Sequence, residues 1–269
     1  MSTRPLDMGG YTRSRTWRVE STDGTVFVKE AADEGSLYML RREAAVYRSV
    51  RGAFLPALVG FADRGERALL AIEYLEDAVW PPPYPDDVGP LFAALDLVAA
   101  ATPPGEIPSQ PPRASLWRRV EDDPEPFLGL GLCSRAWLER SLDALVAAEA
   151  EADLTGDALV HNDVYSANVA FTGRGAMLVD WGAAVRGSRW IDVSLALLSV
   201  RVEGGTPPES ALPDAHAFAA TWAGHFAVEA PAPLPAWAEP GSTLREDMKG
   251  DLAHALDWCV EALELPPLG

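Results

Sequence analysis

Apolar and polar positions in the first quarter of the chain change from a two-residue to a helical period and back. Residues 16–20 (TWRVE) and 25–29 (TVFVK) are short β-like runs. The Asp23-Gly24 pair between them predicts a hairpin, because these residues accept the backbone angles that tight connections require. Apolar residues at 37, 40, 44, 46, 47 and 50 fall at helical spacing, with Ser36 placed as a cap. Residues 68–75 (ALLAIEYL) read as a buried strand, and a further strand is expected around 54–61. Up to residue 75 the order is therefore β-β-α-β. The remainder is predicted to be mainly helical, with helices over 89–101, 134–151, 190–201, 213–228 and 243–264. Two short apolar runs interrupt it, Ala158-Leu159-Val160 and Ala176-Met177-Leu178-Val179. Each ends on a polar residue, His161 and Asp180 respectively.

Proline marks the joins. Trp80-Pro81-Pro82-Pro83-Tyr84-Pro85 follows Glu76-Asp77 and is too proline-rich for a helix or a central strand. Residues 103–112 are similar, and 231–240 read as a loop before the last helix. Charge changes across the first of these joins. The chain carries 22 Lys+Arg against 40 Asp+Glu, a net of −18. Residues 1–75 hold 11 against 10, a net of +1, and residues 76–269 hold 11 against 30, a net of −19. Two lobes with different tasks, 1–75 and 76–269, are expected.

Composition sets further bounds. With 269 residues, 48% hydrophobic and 23% charged, the chain can bury a sizeable core. So acidic a protein is a poor ligand for nucleic acid or an anionic membrane, which need clustered cations. Cys133 and Cys259 form no CxxC motif, which excludes a disulfide scaffold or a cysteine zinc site and suits the cytoplasm. No apolar run approaches about 18 residues, and residues 1–11 lack the apolar core of a signal peptide. Oligomeric state has no signature in the residues.

The segment that suggests chemistry is His161-Asn162-Asp163-Val164-Tyr165-Ser166-Ala167-Asn168, followed twelve residues later by Asp180-Trp181-Gly182. A chance H-x-D-x-x-x-x-N has odds of roughly two in a thousand at this composition. Both asparagines of the chain, Asn162 and Asn168, fall inside it. The spacing suits phosphoryl transfer, which requires an oriented hydroxyl and neutralised phosphate charge. Asp163 would align the hydroxyl and accept its proton. Asn168 would turn back to offer an amide oxygen to Mg²⁺, and Asp180 would reach the same ion from the next strand end, hard oxygen ligands being what Mg²⁺ takes. Lysine is rare, with only Lys29 and Lys249 in the chain, so Lys29 in the β-like run is a further candidate.

These residues resemble the aminoglycoside phosphotransferase and choline kinase-like family, whose fold is protein-kinase-like. The resemblance spans residues from about 10 to 200. It implies an α+β, bilobal fold with a small β-rich N-lobe and a larger, mainly helical C-lobe. Val26-Phe27-Val28-Lys29 is similar to the kinase strand whose lysine holds the α and β phosphates, and Glu43 stands where that lysine's partner is found. Ile72-Glu73-Tyr74-Leu75 looks like the inter-lobe hinge, with backbone groups of Glu73 and Leu75 on adenine. Asp192 in Arg189-Trp190-Ile191-Asp192 resembles the residue that braces the catalytic loop, with His161 in support. Two departures are visible. Asn162 stands where the family commonly has Gly, and the phosphate loop Gly9-Gly10-Tyr11-Thr12-Arg13-Ser14-Arg15 has only two glycines. Arg13 or Arg15 would add positive charge there, the alternative and better-supported reading being a solvated basic hairpin.

The resemblance implies transfer from ATP, or GTP, to the hydroxyl of an aminoglycoside-like or other antibiotic. The alternatives are a metabolic kinase for choline, homoserine or a sugar, and a nucleotide-binding pseudokinase. Only 11 residues separate Asp180 from Asp192, which leaves little room for an activation segment or a docked peptide and favours a small acceptor. The acidic second lobe would attract a cationic one. Glu203, Asp257 and Glu261 are the acids expected to face it, while Glu139, Asp143 and Glu149 read as solvent-facing. Trp80, Trp117, Trp137, Trp190, Trp222 and Trp258 read as core, or as surfaces on which an acceptor could stack.

Overall fold

Strand β1 (Ser2–Leu6) opens a five-stranded antiparallel sheet with β2 (Arg15–Ser21) and β3 (Gly24–Ala31). The structure, a computed structural model, describes residues 2–6, 10–31, 33–112 and 114–269; Gly9 of the expected phosphate loop lies outside them. β2 and β3 form the predicted hairpin, with Gly24 at φ +131° closing its turn. β1 carries no sequence signal because four of its five residues are exposed and nothing enforces alternation. Helix α1 (Glu34–Ser49) starts three residues before the apolar periodicity. Its cap is Asp33, whose carboxylate accepts from the Ser36 N–H at 2.9 Å, while Ser36 Oγ accepts from the Asp33 N–H. β4 (Leu58–Asp63) lies later than expected, since Phe54 and Leu55 are buried in the connection before it. In β5 (Ala68–Glu73), Ala68, Leu70 and Ile72 point to the core and Leu69 points out. The strand order is β1-β2-β3-β5-β4.

The second part contains helices α2 (Gly89–Ala100), α3 (Leu116–Asp122), α4 (Glu125–Leu128) and α5 (Arg135–Glu151). The short strands β6 (Ala158–Val160), β7 (Val169–Thr172), β8 (Gly175–Leu178) and β9 (Val185–Gly187) follow. Helices α6 (Trp190–Val202), α7 (Ala215–Glu229) and α8 (Leu244–Ala262) complete it. The two apolar runs do not pair with each other. β6 pairs with β9, and β7 forms a hairpin with β8. α3 and α4 are too short for periodicity to reveal.

Burial explains the helical layer. α6 is buried from Ile191 through Val200, so it is the central helix, with α7 and α8 against it. Trp117, Trp137, Trp222 and Trp258 are core, which leaves them unable to stack on an acceptor. The first three satisfy their indole N–H groups internally, on Ala220 O, Pro266 O and Ser194 Oγ, each at 2.8 Å. Trp80 is exposed and Trp190 half-buried. Glu149 is not solvent-facing as its helical position suggests. It caps α3, accepting from Ser115 Oγ and from the N–H of Leu116 and Trp117.

The two parts meet through α1, which packs on the turn Trp181–Ala183. Arg42 donates to Ala183 O at 3.1 Å, and the Leu178 N–H donates to Phe54 O at 2.8 Å. This contact sets the crevice between sheet and helices. Among the described residues no helix is long and apolar enough to cross a membrane.

Candidate active site

The crevice collects side chains from both parts. Lys29 lies on β3, two residues before its end, and Leu70 is its partner across the sheet on β5. Its Nζ donates to Glu43 Oε2 at 3.0 Å and to Asp180 Oδ1 at 2.7 Å. Glu43 is 3% exposed, whereas the Asp180 side chain is 47% exposed and opens onto the crevice. Burial opposes the Lys29 ammonium, but Asp180 and Glu43 outweigh it and raise its pKa, so it stays charged. Burial pushes Glu43 up to about 7, helped by Asp180 and opposed by Lys29. Burial acts the same way on Asp180, but Lys29 overrides it and holds that carboxyl below the usual range.

The catalytic-loop sequence folds around Asp192. Its Oδ2 accepts from the His161 N–H at 2.7 Å and its Oδ1 from the Asn162 N–H at 2.8 Å. Both amides are thereby satisfied where strand hydrogen bonding has stopped. Asn162 sits at φ +64°, a left-handed conformation that asparagine tolerates better than most residues. That geometry accounts for the glycine commonly found there in the family that the motif resembles. His161 is fully buried, edge-on to Trp181 at 4.5 Å, with Nε2 2.8 Å from Val179 O. A carbonyl only accepts, so Nε2 carries the proton. Burial pulls the pKa of His161 down to about 4, and the ring is neutral at pH 7.

Asp163 and Asn168 face each other. Asn168 Nδ2 donates to both Asp163 O and Asp163 Oδ2 at 2.9 Å, which turns its amide oxygen away from Asp163. Burial, reinforced by Asp180, pushes Asp163 up to about 7. Burial likewise raises Asp192 to about 7. Asp180 sits at φ +61°, ψ +63°, a left-handed position that directs its side chain toward Lys29.

At the expected hinge, the Glu73 N–H donates to Ala57 O at 2.8 Å. The Glu73 carboxylate accepts from the Ala57 N–H at 3.1 Å and pairs with Arg174. Leu75 lies just past the end of β5.

The acids expected to face the acceptor fall in different places. Ser166 Oγ in the catalytic loop donates to Glu203 Oε1 at 2.8 Å, which puts Glu203 against that loop, three residues on from Asp163. Asp257 is exposed on α8, six residues on from Asp251 and about 120° round the helix from it. Glu261 lies ten residues, about 15 Å, beyond Asp251, and its charge is taken by Arg201 at 2.8 Å. The α8 acids turned toward the site are Asp247 and Asp251, which sequence reasoning missed. Burial raises Asp251 to about 7, with Asp247, Asp163 and Glu203 adding to it. One signal was available. Two like charges at i and i+4 weaken an isolated helix, so their pairing asks for a tertiary reason. Tyr11 is a second omission, its hydroxyl donating to Asp247 Oδ2 at 2.8 Å. Arg13 and Arg15 are exposed.

A five-stranded sheet over a helical lobe, with a buried lysine reaching a carboxylate across the crevice and an Asp–Asn loop below, defines a kinase-like phosphotransferase. Residues 4–239 match the phosphotransferase enzyme family, and the chain belongs to it. Among solved structures it is similar to a thermostable mutant of aminoglycoside phosphotransferase APH(4)-Ia in ternary complex with ADP and hygromycin B. There the TM-score is 0.60 at 15% identity, over 98% of this chain and 93% of that one. Spectinomycin phosphotransferase APH(9)-Ia, in complex with ADP and spectinomycin, gives 0.60 at 10% identity over 98% and 93%. A choline/ethanolamine kinase family protein from Mesorhizobium loti gives 0.57 at 14% identity over 100% and 90%. No curated protein matches in sequence.

Proposed function

We propose that the enzyme transfers the γ-phosphoryl group of a nucleoside triphosphate, ATP or GTP, to a hydroxyl of a small cationic acceptor of the aminoglycoside type. The observation that carries the chemistry is Lys29 bonded to both Glu43 and Asp180, with the Asp163–Asn168 pair on the same crevice. The acceptor class rests on Asp247, Asp163 and Glu203 all lying within electrostatic reach of Asp251, with Glu203 bonded to the catalytic loop. Carboxylates so placed favour ammonium groups, and their mutual repulsion falls when a cation arrives.

The residues present suit a magnesium ion. Asp180 offers a carboxylate open to the crevice, and the Asn168 amide oxygen is turned away from Asp163. Two hard oxygen ligands leave room for the waters and phosphate oxygens that Mg²⁺ prefers. When bound, the ion would supply charge neutralisation at the phosphates. Lys29, kept charged and oriented by Glu43, would hold the α and β phosphates, and the backbone at Glu73 and Leu75 would hold the base. Asp163 would accept the hydrogen bond of the acceptor hydroxyl and take its proton as the oxygen bonds to the γ phosphorus. The bond from that phosphorus to the bridging oxygen breaks, and the nucleoside diphosphate leaves with the electron pair. Asp192 and His161 act only by holding the loop. The nucleotide and two free cysteines, Cys133 and Cys259, suit the cytoplasm.

The test is incubation of the protein with Mg-ATP and a panel of aminoglycosides, peptide and nucleoside antibiotics, choline, homoserine and sugars, read by mass gain of one phosphoryl group. Phosphorylation of cationic aminoglycosides is expected. Modification of choline, homoserine or sugars alone would replace this reading with that of a metabolic kinase. Tight nucleotide binding without any transfer would leave a pseudokinase.

A further inference from the structure

The segment 10–14 lies between β1 and β2 of the N-terminal sheet, yet its contacts lie on the other side of the crevice. The Tyr11 hydroxyl donates to Asp247 Oδ2 at 2.8 Å. The Glu239 N–H donates to Tyr11 O at 2.7 Å, and Thr12 forms an antiparallel bridge with Ala238. Asp247 Oδ2 also accepts from Thr243 Oγ1 at 2.6 Å, so the carboxylate is held from two sides. Ala238 is 4% exposed, which makes the docked strand part of the packed structure. The Tyr11 phenol lies within electrostatic reach of Asp163 and Asp251, and Tyr165 shares the same surroundings. Burial comes first among the causes that raise the Tyr11 pKa, followed by Asp247, so the phenol remains a donor.

We infer that this segment is a strap that closes the acceptor side of the crevice, and that the acceptor enters only when Tyr11 releases Asp247. The inference rests on the proposed phosphotransfer to a cationic acceptor. Its physical basis is competition, because the phenol O–H occupies the carboxylate that an ammonium group would take. A cation that displaces it exchanges a neutral donor for a charged one, adding Coulomb attraction to the bond. Binding to a state populated only in part costs affinity in proportion to that fraction, so the strap sets a threshold that small or weakly charged hydroxyl compounds do not cross. The nucleotide base would be held elsewhere, by Glu73 and Leu75 at and just past the end of β5, and the strap's contacts turn residues 11 and 12 of the expected phosphate loop toward Ala238, Glu239 and Asp247.

Cross-linking the bridge tests this. Partners in an antiparallel bridge have Cα atoms about 4.5–5.5 Å apart, within disulfide range. The variant Thr12→Cys/Ala238→Cys is oxidised with glutathione disulfide, and closure is checked by mass. Wild type and Thr12→Cys alone, treated identically, control for Cys133 and Cys259. Turnover is read on the acceptor that the mass-gain panel identifies for wild type. The oxidised form is expected to lose at least about tenfold in kcat/KM for that acceptor. It should keep its affinity for a fluorescent ATP analogue and recover fully with dithiothreitol. Equal turnover in oxidised and reduced forms would overturn the strap while leaving the function intact. Failure of the function itself appears earlier, as absence of any acceptor for wild type. Tyr11→Phe gives a second reading that does not depend on the cysteine pair folding. Its KM for the acceptor should fall about three- to tenfold. An unchanged or raised KM would mean that the phenol does not hold the acceptor out.

Discussion

Lys29 Nζ lies 2.7 Å from Asp180 Oδ1, across 151 residues of sequence. The lysine comes from the sheet and the aspartate from the turn after β8, so one hydrogen bond joins the two parts at the crevice. Its other partner, Glu43, has almost no solvent. Lys29→Ala leaves both carboxylates without their cation. Removing one member of a buried pair costs about 3–5 kcal/mol, and exposure of Asp180 with protonation of Glu43 brings this toward the lower bound. The expected result is a fall in stability of about 3 kcal/mol by denaturant titration, together with loss of most nucleotide affinity. Glu43→Gln should cost less on both counts, because the ammonium keeps Asp180.

Asp163→Asn keeps shape and removes the proton acceptor. A drop in kcat of about 10²–10⁴-fold is expected, with nucleotide affinity within about twofold of wild type. Burial and Asp180 push Asp163 up to about 7, and its active form is the carboxylate. The kcat/KM profile of wild type should therefore rise with pH through about 7 before levelling. A flat profile from pH 5 to 8 would remove Asp163 from the proton-transfer role.

Asp192→Ala strips two buried amides, those of His161 and Asn162, of their acceptor. Each unsatisfied donor costs about 1–3 kcal/mol, and relief of the buried carboxylate offsets part of it. A loss of about 2 kcal/mol in unfolding free energy is expected, with kcat lowered more than the nucleotide KM because the loop carrying Asp163 loosens.

Asn162→Gly should preserve folding and turnover, since glycine reaches φ +64° freely. Asn162→Val should lose about 1–2 kcal/mol, because a β-branched residue resists the left-handed region. Thermal melts of the two variants side by side decide the point, and equal melting temperatures would refute the strain.

Stability should depend on pH in an unusual direction. Burial raises Glu43, Asp163, Asp192 and Asp251 to about 7, so between about pH 4 and 7 the folded state binds more protons than the unfolded one. Stability from these groups is fully present near pH 4 and lost as pH rises through about 7. His161, lowered to about 4, acts oppositely between its folded value and the usual 6.5, and it is a single group. Melting temperature should be higher at pH 5.5 than at pH 7.5, and Asp251→Asn should narrow the difference. A melting temperature that climbs over that interval would contradict the burial of these carboxyls.

Local pattern was enough for the hairpin of β2 and β3, for the six longer helices and for the loop motif, because each is set by neighbours within a few residues. It was enough to nominate Lys29, Glu43, Asp163, Asn168 and Asp180, since their identities and spacing are written in the chain. It was silent on β1, whose exposed residues impose no alternation, and on α3, too short to show a period. Which acids flank Asp163 depended on how α8 turns against α6 and the catalytic loop. Helical phase turned Asp251 inward and Asp257 outward, the Tyr11 hydroxyl bonded the exposed Asp247, and an ion pair with Arg201 took Glu261 out of contention. Likewise, nothing near Tyr11 in sequence points to Asp247, 236 residues away. Residue types and short-range order were legible in the chain because they are local. Which charges share a crevice was decided by packing, since only the folded core brings distant helices and strands to one side and excludes the water that would otherwise screen them.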